Sequence, residues 1–239
     1  MRSITYCGRD FSELCSAEVV GRTVNALTAE AMEVPGRAGA LPVSSRVVPA
    51  EVTVRLFLDM GFRADVNALA EARHKLSFWL CVPGGGELVL PDEPEHIYHD
   101  AMLVDVGEWS RLFSDGQCDV TFMLFDPVAY GMARVERTAA FEVGGSWATW
   151  PEFRVVASAG YGLSVSCAAL GKAVELDYDF AGGEAVVIRC EDESVEINGA
   201  DARDVVTLGS DFFALEPGAC TLAFSGCGYF ETRFCERWL

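Results

Sequence analysis

Much of the chain alternates apolar and polar positions with a period of two. Val52, Val54, Leu56 and Leu58 fall on one side of a strand, with Thr53, Arg55 and Phe57 on the other. Val120, Phe122 and Leu124 repeat the pattern. Later, Val174, Leu176, Tyr178 and Phe180 alternate with Glu175, Asp177 and Asp179, as in a half-buried antiparallel strand with one face in water. Between the first two strands the period changes. Val66, Leu69, Ala70, Arg73, Leu76 and Leu80 recur at helical spacing, with Arg73 at the rim of the buried face. Asp65 stands in the capping position, and Pro83 and Gly84-Gly85-Gly86 end the element. Trp109 to Phe113 read as a short second helical turn, and the residues around Ile97 to Val104 as strand.

From about residue 139 the pattern predicts short strands only. They fall near 152–157, 163–168, 173–180, 185–190, 194–198, 204–208, 212–216, 219–225 and 228–236. Gly171, Gly182-Gly183, Asn198-Gly199 and Pro217-Gly218 separate them. Asn-Gly is the strongest of these signals, because a type I′ hairpin needs positive φ at both central residues. Short strands at this spacing without a helix predict a sandwich or barrel. The fold class is therefore an α+β N-terminal domain, β-rich with one main helix, over residues 1–138, followed by an all-β domain over residues 139–239. The boundary is expected between Gly131 and Gly144, without a low-complexity linker or an internal repeat.

The charge narrows the function. The formal net charge is −18, the two halves carry −8 and −10, and no basic tract offsets either. Direct nucleic-acid binding needs clustered Lys and Arg, so it is not expected, and neither is adhesion to an anionic membrane. The N-terminus lacks the apolar core of a signal peptide, and no stretch reaches the ~18 apolar residues of a membrane span. A chain made in the cytoplasm and remaining soluble is expected. Nine cysteines without a CxxC pair are then expected to be reduced structural thiols.

Candidate chemistry is sparse. His96 and His99, beside Asp100, share a face only on a helix, and on a strand they point apart. His74 sits with Arg73 and Lys75 on the polar side of the helix. Gly84-Gly85-Gly86 lacks the following Lys of a phosphate loop and reads as a tight turn. Asp177, Asp179 and the Glu191-Asp192-Glu193 turn do not supply the six to eight converging oxygens that calcium takes. There is no G-x-S-x-G elbow. Trp147 and Trp150 are the candidate glycan platform, against the ordinary burial of Trp. No catalytic residue, metal site or cofactor is expected.

Several motifs occur in order along nearly the whole chain. They are Val34-Pro35-Gly36-Arg37-Ala38-Gly39-Ala40-Leu41, then Asp92-Glu93-Pro94-Glu95-His96-Ile97-Tyr98, then Phe122 through Asp126-Pro127-Val128-Ala129-Tyr130-Gly131. Gly144-Gly145-Ser146-Trp147-Ala148-Thr149-Trp150-Pro151, Ser210-Asp211-Phe212-Phe213-Ala214-Leu215-Glu216-Pro217-Gly218 and the terminal Glu236-Arg237-Trp238-Leu239 follow. In this order they resemble the siphophage distal tail (Dit) family, the siphovirus-type tail components. Their physical sense is that of a scaffold: Pro35 and Gly36 form a turn, Gly39 permits close backbone approach, and Asp126-Pro127 stops a strand.

The resemblance implies a virion structural protein, not an enzyme. It implies an N-terminal belt domain that forms a homo-hexameric ring, and a C-terminal galectin-like β-sandwich. The implied partners are the tail tube, the tail tip or hub proteins of the baseplate, and a receptor-binding protein or glycan. The implied place is the tail of a phage or prophage virion. Within it, Val34, Pro35, Gly36, Arg37, Gly39 and Leu41 are the expected ring-interface residues, together with the strand at 52–58. A carbohydrate-binding β-sandwich of a phage adhesion device is the alternative, and a tail-associated hydrolase a weaker one.

Overall fold

The computed structural model describes residues 2–23, 26–36, 38–59, 61 and 65–239. The chain divides into two compact units, one ending at Tyr130 and the other running from Gly131 to Trp238. The division falls before the 138/139 boundary read from composition, inside the strand at Ala129–Glu136.

The first unit opens with β1 (Thr5–Tyr6), β2 (Arg9–Asp10) and β3 (Cys15–Arg22). A hairpin of β4 (Leu27–Glu33) and β5 (Ala40–Val47) follows, then β6 (Ala50–Leu58). After helix α1 (Val66–Leu80) come β7 (Gly86–Leu90), β8 (Glu93–Val106), helix α2 (Trp109–Ser114) and β9 (Gln117–Leu124). All pairings are antiparallel, and β3, β6, β9, β8, β7, β1 and β2 are joined in that order. The core is the set of inward positions that the alternation marked. Val52, Val54, Leu56 and Leu58 on β6 meet Val120, Phe122 and Leu124 on β9, all buried. Phe122 takes the ring of buried Tyr6 edge-on, 5.0 Å between centroids.

Helix α1 begins where Asp65, in an extended conformation, accepts a hydrogen bond from the Asn67 amide, satisfying one of the orphan donors of the first turn. Its buried stripe is Ala72, Leu76 and Leu80. That differs from the stripe counted from Val66, which is exposed at the N-terminal turn, and Arg73 faces solvent. After the helix, Gly84 and Gly85 take φ +83° and +70°. A side chain on Gly85 would overlap the Ala101 carbonyl, so the turn needs glycine on both counts.

The second unit contains β10 (Ala129–Glu136, from Gly131 onward), β11 (Ala140–Val143), β12 (Glu152–Ala157), β13 (Gly160–Cys167) and β14 (Lys172–Phe180). β15 (Ala185–Arg189), β16 (Ser194–Ile197), β17 (Ala200–Asp201), β18 (Gly218–Thr221), β19 (Ala223–Ser225) and β20 (Cys227–Trp238) complete it. One sheet runs β17-β16-β15-β12-β20-β10, a second runs β14-β13-β19, and β11 pairs with β18. Phe153, Val155, Val186 and Ile188 from the first sheet and Leu163, Val165, Val174 and Leu176 from the second share one buried core. Asn198 and Gly199, at φ +52° and +79°, make the tight turn between β16 and β17.

Two expected strands are absent from this unit. Residues 203–205 form a 3-10 turn, and Val206 touches the ladder only through one bridge to Leu176. In 212–216, Phe213 and Leu215 are buried with strand-like alternation, but a single bridge, Leu215 to Thr149, ties the backbone. Burial produces that alternation without a ladder. The segment 219–225 is split into β18 and β19, which pair with different sheets.

Candidate functional site

Most of the ordered motifs hold the backbone together through specific contacts, the Val34–Leu41 segment excepted. Arg22, at the end of β3, reaches across to the turn that opens β8. Its two Nη atoms meet the Asp92 carboxylate at 2.9 Å and Glu93 at 2.7 Å. Tyr98 donates its hydroxyl to Glu93 at 2.8 Å, closing the network. Burial, and then the Glu93 carboxylate, push the Tyr98 phenol up to about 12. The motif that began at Asp92 therefore clamps a strand end. Asp126 accepts from the Val128 amide at 3.1 Å and the Tyr130 hydroxyl at 2.7 Å, fixing the turn at Pro127.

The second unit repeats the device. Glu236 accepts from the Gly144 amide at 3.0 Å and pairs closely with Arg134. The Arg237 carbonyl accepts from the amides of Ser146 and Trp147, at 2.9 and 3.0 Å. Ser210 exchanges hydrogen bonds with the Glu175 amide and carbonyl at 2.9 and 3.1 Å. These partnerships engage Asp92, Glu93, Asp126, Ser210 and Glu236 of the motifs.

The expected ring-interface residues gather at one place. Val34, Pro35, Gly36, Gly39 and Leu41 lie at the tip of the β4–β5 hairpin, and Arg37 falls outside the described residues. Glu33, Val34, Pro35, Gly36, Gly39 and Ala40 line a small open concavity there. Gly36 and Gly39 adopt φ +83° and +80°, but among the described residues nothing approaches within 4 Å of the side chain either would carry. The expected close backbone approach at Gly39 is therefore absent, and the glycines serve backbone conformation alone.

The hairpin is unusual in what it leaves uncovered. Among the described residues β4 and β5 pair only with each other, and every residue of β4 is exposed. Leu27, Ala29, Ala31 and Glu33 share one face with Val47, Ser45, Pro42 and Ala40, their partners across the ribbon. Before Glu33 that face is apolar except for Ser45, and Met32 lies on the opposite face. Leu27, Met32 and Val43 expose 67%, 55% and 63% of their surface. A lone two-stranded ribbon is marginal in water, and an exposed apolar edge is a template for pairing with another chain. The strand β6, also expected at the interface, is hydrogen-bonded along both edges to β3 and β9 and offers only the face of Thr53, Arg55 and Phe57.

Trp147 and Trp150 are 37% and 40% exposed, more than the ordinary burial of Trp. Elsewhere Trp79 packs on Phe11 at 5.1 Å with Lys75 over its ring, and Trp109 packs on Phe113 at 5.3 Å. His96 and His99 take separate neighbours, Glu93 at 3.9 Å and Glu87 at 3.5 Å. Among the described residues no three metal-ligating side chains converge. Sequence reasoning missed the amphipathic hairpin itself. The signal was present in the turn at Pro35-Gly36 between two seven- or eight-residue segments, but neither segment alternates strongly.

Residues 144–238 match the family described as the siphovirus-type tail component, C-terminal domain. The fold over the whole chain is like that of the Dit protein of phage SPP1, with a TM-score of 0.79 at 18% identity and 100% of both chains covered. That protein is described as a paradigm of the hub adsorption apparatus in phages infecting Gram-positive bacteria. A chain of the phage p2 baseplate is a looser likeness, with a TM-score of 0.41 at 8% identity over 92% of this chain and 90% of that one. No curated protein matches in sequence.

Proposed function

We propose that this protein is a structural phage-tail component whose N-terminal unit assembles six copies into a ring joining the tail tube to the tip or baseplate. The observation that carries the reading is the β4–β5 hairpin, whose apolar face has no cover among the described residues. A cyclic ring needs two different patches on each copy, one to give and one to receive, and a protruding ribbon is suited to be given. The family match of residues 144–238 and the SPP1 Dit-like fold support the same assignment.

In this reading the work of the chain is assembly, not chemistry, and its polar motifs act on its own backbone. The C-terminal unit takes the role of a galectin-like sandwich that can carry a receptor-binding protein. The protein is made in the bacterial host and resides in the virion tail. A net charge of −18 suits a ring through which DNA passes, since like charge does not trap the polymer.

Light scattering on purified full-length protein, with negative-stain microscopy of the same peak, tests the reading. A six-fold ring with a central channel is the expected outcome, alone or once tail-tube protein is added. A chain that stays monomeric with tube and tip proteins both present overturns it.

A second reading has its own observation, the exposure of Trp147 and Trp150. In it, the C-terminal unit binds glycans through those rings. Glycan-array binding that disappears in Trp150→Ala supports it, and binding unchanged in that variant removes the platform.

A further inference from the structure

The first unit carries an apolar groove as well as an apolar ribbon. Leu80 and Cys81 at the end of α1, Leu103 and Val106 on β8, and Trp109 on α2 surround a depression of about 350 Å³, with Ser77 at its edge. Apolar surface left in water costs about 25 cal/mol per Å², so a concavity of this composition gains by being filled. The chain does not fill it with its own hairpin, whose apolar face stays exposed.

Asp105 and Glu108 flank the groove on one side, and on the α1 side one charge complements the ribbon. Arg73 lies one helical turn before Ser77, on the same column of α1, and is exposed without an ion pair among the described residues. Glu33 closes the apolar face of the ribbon at its tip end, and it too is exposed without an ion pair among those residues. A ribbon laid into the groove with its tip toward the N-terminal end of α1 brings Glu33 to Arg73. The same placement sets Ala31 and Ala29, which are small, against Leu80 and Val106. Phe78, 67% exposed on the same helix, has the Arg9 guanidinium 4.6 Å from its ring centre and lies outside the groove.

We infer that the groove bounded by α1, β8 and α2 receives the apolar face of the β4–β5 hairpin of a second copy of this chain. The inference rests on the ring reading and specifies its interface: one copy gives the hairpin, and the next receives it. Such a contact is heterologous and repeats around a ring without leaving either patch open.

Photo-crosslinking of the full-length chain tests it. Benzoylphenylalanine in place of Ala31 is mixed with isotopically labelled protein of natural sequence and irradiated, and cross-linked peptides are mapped by mass. The expected product joins position 31 of one copy to residues 76–81 or 103–109 of another. Ser77→Trp, which fills the groove from an exposed position, lowers its yield by about tenfold, as ~1.4 kcal/mol of lost affinity requires. Arg73→Glu lowers it as well, and Arg73→Glu combined with Glu33→Arg restores it. Intermolecular products that map elsewhere overturn the groove assignment while rings seen by scattering preserve the ring reading. Loss of intermolecular products together with a persistently monomeric mass overturns both.

Discussion

The Arg55 guanidinium and the Asp119 carboxylate face each other across β6 and β9 and close a two-pronged ion pair, with Nε to Oδ1 at 2.7 Å and Nη2 to Oδ2 at 2.9 Å. The hydrogen bonds from Arg55 hold the Asp119 carboxyl below the usual carboxylate range. A carboxylate depressed in the folded state contributes stability above its unfolded pKa, about 3.9, and loses it as pH falls through the folded value. The difference in Tm between the wild type and Asp119→Asn is therefore expected to shrink as pH falls below about 4. The effect is small, because both side chains remain more than a third exposed, at 38% and 41%. A pH series of thermal melts checks it, and a difference that grows on acidification contradicts it.

Thr232 offers a test in the opposite direction. It is fully buried on β20 opposite Phe153, and its hydroxyl has no hydrogen-bond partner among the described residues. An unmet buried hydroxyl costs about 1–3 kcal/mol of desolvation. Thr232→Val keeps the shape and removes the polar atom, so it is expected to raise stability by roughly 1 kcal/mol. Chemical denaturation of the two proteins measures the change, and a loss of stability shows that the hydroxyl is satisfied.

The hairpin tip separates folding from assembly. Gly36 and Gly39 have room for a side chain but sit at positive φ, where other residues lose roughly 1–2 kcal/mol each. Gly36→Val with Gly39→Val is expected to disorder the tip and abolish ring formation. The melting of the second unit is expected to stay within about 1 °C, since a change of 1 kcal/mol within that unit shifts Tm by several degrees. Scattering and calorimetry on the same sample read both. Rings that persist remove the hairpin from the interface.

Thiol reactivity is expected to be strongly graded. Burial pushes Cys15 up to about 12 and Cys190 and Cys220 up to about 11, so these thiols stay protonated and shielded. Cys81 is exposed. A thiol reagent at pH 8 should modify Cys81 first and leave Cys15, Cys190 and Cys220 unmodified until the protein unfolds. Peptide mapping of the modified protein identifies the order.

Residues with one period and one neighbour were legible in the sequence. The capped helix at 66–80 followed from Asp65 and the recurrence of Leu76 and Leu80, and β14 followed from Val174 and Leu176 against Glu175 and Asp177. Its exact buried stripe was not, because Ala72 carries too little apolar weight to outbid Val66 in a count of spacings. The bond between Arg22 and Asp92 was also illegible, since the partners are far apart in the chain and only the fold brings them together. Of the candidate site, the turn at Pro35-Gly36 was visible as a motif. The exposed ribbon around it was hidden because its alternation, from Leu27 to Ala31, is short and carried largely by alanine, which has little apolar weight.

Among the described residues that ribbon is a two-stranded sheet of its own, continuous with the rest of its unit through the chain at its base. Its length is consequently independent of the core. Two residues added to each strand preserve which side chains face which way and extend the reach by about 7 Å, while every buried contact of the unit stays in place. A component built this way can be refitted to a wider or narrower neighbour by changing one peripheral segment, leaving the rest of the sequence unselected for the change.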